Sequence, residues 1–233
     1  MRLYLIRHGD PDYEKDALTP AGVLEAKALA KRLKKEGIDE IYYSPLGRAR
    51  ETMSYTADLT GIKPELLEWT EEIYYYLEVE NWGKTHVFHI PGEVVRSVKE
   101  GEYHDNWFRR PPYNDPGLLE LLKNIHKQSD LFFTRHGYKK EGNLYRIEKQ
   151  NNKKIAVFSH AAFGLAWLSY LLAIPTNIMW SGFWPPTSSV TTILFEERSS
   201  TWAVPRCLGF GDISHLYAEN LPVKPVGLAG NFY

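Results

Sequence analysis

The sequence has a single cysteine, almost no net charge and no long apolar run. With Cys207 alone, no intrachain disulfide can form, which fits a reducing compartment. Lys and Arg number 28 against 29 Asp and Glu, so the net charge of −1 excludes a global basic field for nucleic acid or an anionic membrane. The most apolar stretch, about Ala161 to Pro175, falls short of the ~20 residues that cross a bilayer. The apolar start ends at Arg7-His8, too early for a signal-peptide core. We therefore expect a soluble cytoplasmic protein.

What the sequence does contain is the composition of an ordinary globular protein. Of its 233 residues, 43% are hydrophobic and 24% are charged. A chain of this length can bury a large core. We predict a single domain over residues 1–233.

Short apolar runs alternate with helical patterns in the first 70 residues. Thr19-Pro20 is typical of a helix start, and Gly37 of its end. This alternation predicts an α/β fold with a mostly parallel sheet and helices on both faces. The predicted elements are strands at Leu3–Ile6, Ile38–Tyr43 and Glu65–Trp69, with helices from Pro20 to Gly37 and from about Leu46 to Leu59.

The alternation breaks at about residues 73–154, which are rich in aromatic and charged side chains. We predict that this region is an inserted cap over one end of the sheet. Further elements are predicted as a helix at about Pro116–Phe133, a hairpin around Glu141-Gly142-Asn143, strands at Ile155–Phe158, Val190–Phe195 and Thr201–Pro205, and a helix at about Ala162–Ala173.

Five chemically active side chains follow the predicted strands. Because ligands bind past the carboxyl ends of strands in open α/β sheets, we expect these side chains to share one rim. They are Arg7, His8, Arg48, Glu72 and His160.

These side chains suit phosphoryl transfer. Two guanidiniums offer forked donors that match phosphate oxygens. A neutral imidazole is a nucleophile near pH 7 and can carry a phosphoryl group. A helix start after the second histidine would add backbone N–H donors. A glutamate can protonate a leaving oxygen and then deprotonate water.

The blocks that hold these residues resemble the histidine phosphatase superfamily, in its phosphoglycerate-mutase-like branch. The similarity covers roughly residues 1–72 and 155–196. Its blocks are Arg7-His8-Gly9, Leu18-Thr19-Pro20-Ala21-Gly22, Ser44-Pro45-Leu46-Gly47-Arg48-Ala49-Arg50-Glu51-Thr52, Val157-Phe158-Ser159-His160-Ala161-Ala162-Phe163 and Ser188-Ser189-Val190-Thr191-Thr192.

The resemblance implies a mechanism. His8 attacks phosphorus and becomes phosphohistidine, while Arg7, Arg48 and His160 hold the phosphoryl oxygens. Glu72 is the expected acid and base. The other candidates for that role are Glu71 and, more remotely, Glu14, Glu78 and Glu80.

Two departures from family patterns narrow the range of activities that the resemblance implies. Ala161 follows the second histidine, where the acid-phosphatase and phytase branch has Asp. Asp10-Pro11-Asp12-Tyr13-Glu14 replaces the Trp-Asn-containing segment that is usual in the mutases. We therefore predict hydrolysis of a small-molecule phosphate monoester, with no metal or organic cofactor. The alternatives are a phosphomutase and a non-catalytic module that binds phosphorylated ligands or proteins.

Other patterns compete with this assignment. A second Arg-His-Gly, at Arg135-His136-Gly137, is interpreted as a helix end. His86 and His89 could face a metal, but they lack carboxylates or cysteines at ligand spacing. Arg109 and Arg110 could contact an anionic substrate tail or form a solvated loop. The sequence does not indicate an oligomeric state.

Overall fold

A computed structural model describes residues 1–97, 104, 106–228 and 230. The strands are β1 Arg2–Arg7, β2 Pro11–Asp12, β3 Ala17–Leu18, β4 Glu40–Tyr43, β5 Glu65–Leu66, β6 Tyr76–Val79, β7 Gly83–His86, β8 Tyr138–Glu141, β9 Leu144–Ile147, β10 Lys154–Ser159, β11 Val190–Glu197 and β12 Trp202–Asp212. The helices are α1 Pro20–Glu36, α2 Gly47–Thr60, α3 Gly92–Arg96, α4 Pro116–Arg135, α5 Ala161–Leu172, α6 Thr176–Gly182 and α7 Ser214–Ala218.

One eight-stranded sheet organises the chain, in the order β5-β4-β10-β1-β11-β12-β9-β8. The four strands from β5 to β1 pair in parallel. The remaining pairs are antiparallel, and two of them, β8–β9 and β11–β12, are joined by short turns. The α/β class is confirmed, and the sheet is mixed, with its parallel half on the side of β5.

Helices cover both faces of this sheet. On one face, Leu29 and Leu33 of α1 and Met53 of α2 pack on Ile6 and Phe158. On the other face, α4 and α5 bury aromatic side chains against the same strands, with Phe133 lying 4.5 Å from Phe195 between ring centroids. Burial of both faces explains why β1 and β10 read as continuous apolar runs.

Local signals place the ends of the principal helices. The Thr19 hydroxyl accepts the Gly22 N–H at 3.1 Å and caps α1, which ends at Gly37 with φ 72°. Asp115 caps α4 in the same way, at 2.8 Å from Leu118 N. The predicted starts at Pro20 and Pro116 are confirmed.

The predicted strand at Glu65–Trp69 is wrong beyond Leu66. A 3₁₀ turn occupies Glu68–Thr70, and the Thr70 hydroxyl donates to the Leu67 carbonyl at 2.7 Å. Trp69 turns into the core, with its ring centroid 5.0 Å from that of Trp167. Aromatic packing therefore ends the strand early, and Glu72 follows a turn.

The two halves of the region 73–154 lie in different places. Its first half contains the separate β6–β7 hairpin and the short helix α3. Its second half contributes α4 to the core, and β9 pairs with β12 in the main sheet, Arg146 facing Trp202. The division of the chain into a core and a cap at 73–154 stays a prediction.

A helix that crosses a bilayer must be both long and apolar. Among the described residues, no helix is both long and apolar enough to cross a bilayer.

Candidate active site

Neighbouring parallel strands bring the two site histidines together. Arg7, at the end of β1, is in register with Ser159, at the end of β10. The His8 N–H donates to the Ser159 carbonyl at 2.9 Å. The rings of His8 and His160 consequently lie 5.2 Å apart between centroids.

His8 is oriented by its own backbone neighbour. Nδ1 lies 2.8 Å from the Gly9 carbonyl oxygen. Because a carbonyl can only accept, Nδ1 carries the ring proton, and Nε2 keeps its lone pair. Burial, reinforced by the charges of Arg7 and Arg48, holds the His8 pKa well below its usual 6.5. The side chain is therefore a neutral imidazole whose free nitrogen is Nε2.

Arg7 is buried beside this ring and tied to two backbone carbonyls. Its Nη1 donates to Pro185 O at 2.7 Å and to Val226 O at 3.1 Å. The Trp184 indole N–H also donates to the Val226 carbonyl, at 3.1 Å. The segment near residue 226 thus helps to fix the guanidinium.

Arg48, in the first turn of α2, is held from two sides. Nη1 donates to the Asp16 carboxylate at 2.6 Å, and Nη2 donates to the Tyr74 hydroxyl at 2.8 Å. Asp16 also accepts the Gly47 N–H at 2.5 Å, so one carboxylate anchors both the helix start and the guanidinium. The arginine side chain is 3% exposed.

His160 follows β10 and precedes α5. Its Nε2 lies 2.6 Å from the Ser44 hydroxyl. Burial and the nearby His8, Arg48 and Arg7 hold the His160 pKa well below its usual 6.5. His160 is therefore also a neutral imidazole.

Glu72 reaches the same place from the turn after β5. Its carboxylate accepts the Phe163 N–H at 2.9 Å and the Ala162 N–H at 3.3 Å. These donors are in the first turn of α5, directly after His160, where the backbone N–H groups have no partner within the helix. Glu71 is exposed instead. The structure thus brings Glu72 to the predicted rim, while its acid–base role stays a prediction.

Three buried nitrogens of this group have no hydrogen-bond partner within the described residues: Arg7 Nε, Arg48 Nε and His160 Nδ1. Leaving buried polar groups unpaired is costly, so such groups in a native protein call for an explanation. The two arginine nitrogens carry N–H groups of permanent cations. Unpaired N–H donors on side chains that neighbour His8 are the groups that would suit a tetrahedral anion.

Other predicted candidates lie apart from this group. Arg109 sits over the Phe108 ring at 5.7 Å, and Phe108 lines a cavity of about 750 Å³ that includes none of the five site residues. The side chains of Glu14, Glu78 and Glu80 are exposed. Substrate contact by Arg109 and Arg110 stays a prediction.

The second Arg-His-Gly does end a helix. His136 follows α4 and donates from Nδ1 to the Phe132 carbonyl at 2.7 Å. Its Nε2 lies 2.9 Å from the Glu40 carboxylate. His136 is thus part of a structural network around Glu40.

The pair His86 and His89 belongs to the β6–β7 hairpin and the turn after it. His86 Nε2 donates to the Ile73 carbonyl at 2.6 Å, which occupies that nitrogen. Within the part of the chain that the structure describes, no group of three or more His, Cys, Asp or Glu side chains could hold a metal ion.

Five groups that hold the site were not predicted from the sequence. They are the Asp16 carboxylate, the Tyr74 hydroxyl, the Ser44 hydroxyl and the carbonyls of Pro185 and Val226. Ser44 could have been suspected, because it directly follows a predicted strand. The others act from loops whose positions depend on the tertiary fold, and a carbonyl leaves no side-chain signal.

Two solved structures with the same fold are named as phosphatases. A mutant phosphoserine phosphatase of Entamoeba histolytica in complex with phosphoserine matches 92% of this chain and 98% of its own, at 22% identity and a TM-score of 0.62. A mycobacterial glucosyl-3-phosphoglycerate phosphatase matches 90% of this chain and 98% of its own, at 17% identity and a TM-score of 0.58. At such identities the likeness establishes the fold.

Two curated proteins match over shorter stretches. A putative phosphoserine phosphatase 2 of Hydrogenobacter thermophilus is 36% identical over 69 residues, which are 26% of this chain and 34% of that protein. A probable phosphatase of Schizosaccharomyces pombe is 39% identical over 75 residues, or 28% of this chain and 34% of that protein. The chain therefore spans about a third of the length of these relatives.

A family model covers far more of the chain. Residues 3–206 match the model of the histidine phosphatase superfamily (branch 1), from β1 into β12. This range includes His8, His160 and both arginines. The chain belongs to the histidine phosphatase superfamily, branch 1.

Proposed function

We propose that this protein hydrolyses phosphate monoesters of small molecules through a phosphohistidine on His8. The observation that carries the proposal is that a neutral His8 lies beside His160, Arg7 and Arg48, and that Arg7 Nε, Arg48 Nε and His160 Nδ1 lack partners within the described residues. A phosphoryl group would supply acceptors for all three nitrogens. The neutral imidazole would supply the nucleophile.

In the first step, the lone pair of His8 Nε2 forms a bond to phosphorus, and the ester P–O bond breaks. Glu72, in its acid form, gives its proton to the leaving oxygen. Arg7 and Arg48 stabilise the charge that spreads over the phosphoryl oxygens in the transition state. The products of this step are an alcohol and phosphohistidine.

In the second step, the Glu72 carboxylate takes a proton from water as the water oxygen attacks phosphorus. The N–P bond breaks, its electron pair returns to Nε2, and inorganic phosphate leaves. Each group is then back in its starting state. No step uses a metal, and we propose that the protein acts in the cytoplasm, where its single cysteine would stay reduced.

The test is hydrolysis of p-nitrophenyl phosphate in EDTA by wild type, His8→Ala and His136→Ala. We expect activity in wild type, loss in His8→Ala and retention in folded His136→Ala. A phosphoryl group that is labile in acid should appear on wild type and be absent from His8→Ala. Loss of activity confined to His136→Ala would overturn the placement of the nucleophile.

Two other results would overturn this proposal and indicate a different function. Phosphate transfer that depends on an added bisphosphate would identify a phosphomutase. Phosphate affinity without turnover of any ester in a broad screen would identify a binding module.

A further inference from the structure

Ser44 connects two of the strands that build the site. It follows β4 directly, and its N–H donates to the Phe158 carbonyl of β10 at 2.9 Å. Its side chain is fully buried, and Oγ lies 2.6 Å from Nε2 of His160. Backbone and side chain of one serine thus fix the position of His160 relative to β4.

The direction of the Ser44–His160 hydrogen bond can be inferred from its surroundings. The Leu46 N–H approaches Ser44 Oγ at 3.5 Å, which gives Oγ a weak donor on its other side. Nε2 is the acceptor that the structure offers to the serine proton among the described residues. If Nε2 were protonated instead, the serine O–H would be left without an acceptor in a buried position, which is costly.

The surroundings of Nδ1, the other ring nitrogen of His160, lead to the same assignment of the ring proton. Nδ1 of His160 is buried and has no partner within the described residues. A neutral imidazole carries one ring proton. If that proton were on Nε2, a lone pair on Nδ1 would face the oxygens of a bound phosphoryl group, and the two would repel.

We propose that Ser44 is a positioning residue, whose hydroxyl donates to Nε2 and thereby holds neutral His160 with its proton on Nδ1. This inference rests on the proposed function, because it assigns Nδ1–H as a donor to a phosphoryl oxygen. The donor is neutral, so it adds directed stabilisation beside the two guanidiniums. It acts in both chemical steps, since the same oxygens carry the developing charge in each.

The tautomer can be measured without turnover. Nitrogen-15 NMR separates protonated from unprotonated imidazole nitrogens, and comparison with His160→Gln assigns the signals of His160. In wild type with bound orthovanadate we expect a protonated Nδ1 and an unprotonated Nε2. A protonated Nε2 would overturn the proposal, whatever the activity of any variant.

Kinetics supply the second measurement. Ser44→Ala should lower kcat/KM by roughly ten- to a hundredfold, because a donor held by one hydrogen bond is loosened rather than deleted. The loss should be equal for p-nitrophenyl and alkyl phosphates, since the donor does not touch the leaving group. Ser44→Thr keeps the hydroxyl and should restore most of the activity if circular dichroism shows a native fold.

The matched control is Ser169→Ala. Ser169 is a buried serine of α5 that bonds the Thr176 hydroxyl at 2.8 Å, outside the active site. It should keep full activity. Full activity in folded Ser44→Ala would overturn the positioning role. If wild type fails to hydrolyse any ester, the proposed function is wrong, and the nitrogen signals still decide the tautomer.

Discussion

The carboxylate of Glu72 accepts the backbone N–H of Phe163 at 2.9 Å. Through this bond, the turn after β5 is attached to the start of α5, three residues beyond His160. The candidate acid and the second histidine are thereby positioned by the same helix end. Movement of that helix end would shift both.

Glu72→Gln should slow alkyl phosphates much more than p-nitrophenyl phosphate. Gln keeps an oxygen that can accept from Phe163, so the helix contact survives, but it has no proton to give. We expect a loss of roughly 10²–10⁴-fold in kcat/KM with poor leaving groups, since kcat/KM reports the step that releases the alcohol and excludes the later attack of water. Rates measured across leaving groups of different pKa test this, and equal losses would contradict it. Glu71→Gln is the matched control and should keep wild-type rates, because Glu71 is exposed beside the turn.

The acid limb of the pH profile should lie below pH 6.5. In the proposed mechanism the neutral form of His8 attacks phosphorus, and the pKa of His8 is held well below 6.5 by burial and by Arg7 and Arg48. Protonation therefore inactivates the nucleophile only in acid. Measurement of kcat/KM against pH with an activated ester, whose leaving group needs no acid, checks this. An acid limb at or above pH 6.5 would argue against a buried neutral nucleophile.

Gly227→Ala should impair phosphate binding. Gly227 has φ 76°. A methyl group there would lie 3.4 Å from Arg7 Nη2 and 3.4 Å from a ring carbon of Phe88. We expect a strain of about 1–2 kcal/mol from the backbone. A backbone shift that relieves this strain would move the neighbouring Val226 carbonyl, which accepts from Arg7, and should raise KM and the inhibition constant of phosphate.

The control for that substitution is Gly142→Ala. Gly142 has φ 59° in the β8–β9 turn, and a methyl group there meets nothing within 4 Å. The Gly142→Ala variant should have the same backbone strain, and its KM should equal that of the wild type. A similar KM in both variants would mean that the segment near residue 227 does not influence Arg7.

Glu40→Gln should destabilise the fold and leave the catalytic rate unchanged. Burial opposes ionisation of Glu40, but hydrogen bonds from Lys153, His136 and Tyr42 lower its pKa from 4.5 to about 2. A lowered pKa stabilises the folded state above pH 4.5, and this contribution is lost as the pH falls from 4.5 towards 2. We expect a loss of about 1–3 kcal/mol at neutral pH.

Urea unfolding of wild type and Glu40→Gln between pH 2.5 and 7 measures this difference. The two curves should converge towards the acid end. A constant difference across the range would assign the effect to packing. Glu65→Gln offers a comparison, since Glu65 pairs with Arg135 at 2.6 Å where both side chains are about half exposed, and its loss should cost little.

The positions of Arg7, His8, Arg48 and His160 could be predicted because each follows a short local signal. Apolar runs mark the strands, and parallel pairing brings their carboxyl ends to one rim. Glu72 also reaches this rim, although the strand predicted before it ends at Leu66. The turn forms because Trp69 packs on Trp167, a contact that depends on α5, nearly a hundred residues away in sequence.

Long-range contacts account for what the sequence could not predict. Asp16 and Tyr74 accept hydrogen bonds from Arg48, and Val226 accepts one from Arg7. These bonds depend on the positions that loops take in the folded protein. The antiparallel half of the sheet could not be predicted either, because it also depends on long-range contacts. The helix α4 and the hairpin β8–β9 lie within the region 73–154, yet they complete the core and the sheet.

The register between β1 and β10 has a consequence for how such proteins diversify. The pairing of β1 with β10 sets the spacing of His8 and His160, and the segment between β7 and α4 takes no part in that pairing. Loop-closure entropy grows slowly with length, at about 0.6 kcal/mol for each doubling. Segments of different size can therefore be exchanged between β7 and α4 while the histidine pair stays in place. If the proposed function is right, recombination between relatives at these points is a route to new substrate preferences on an unchanged phosphoryl-transfer centre.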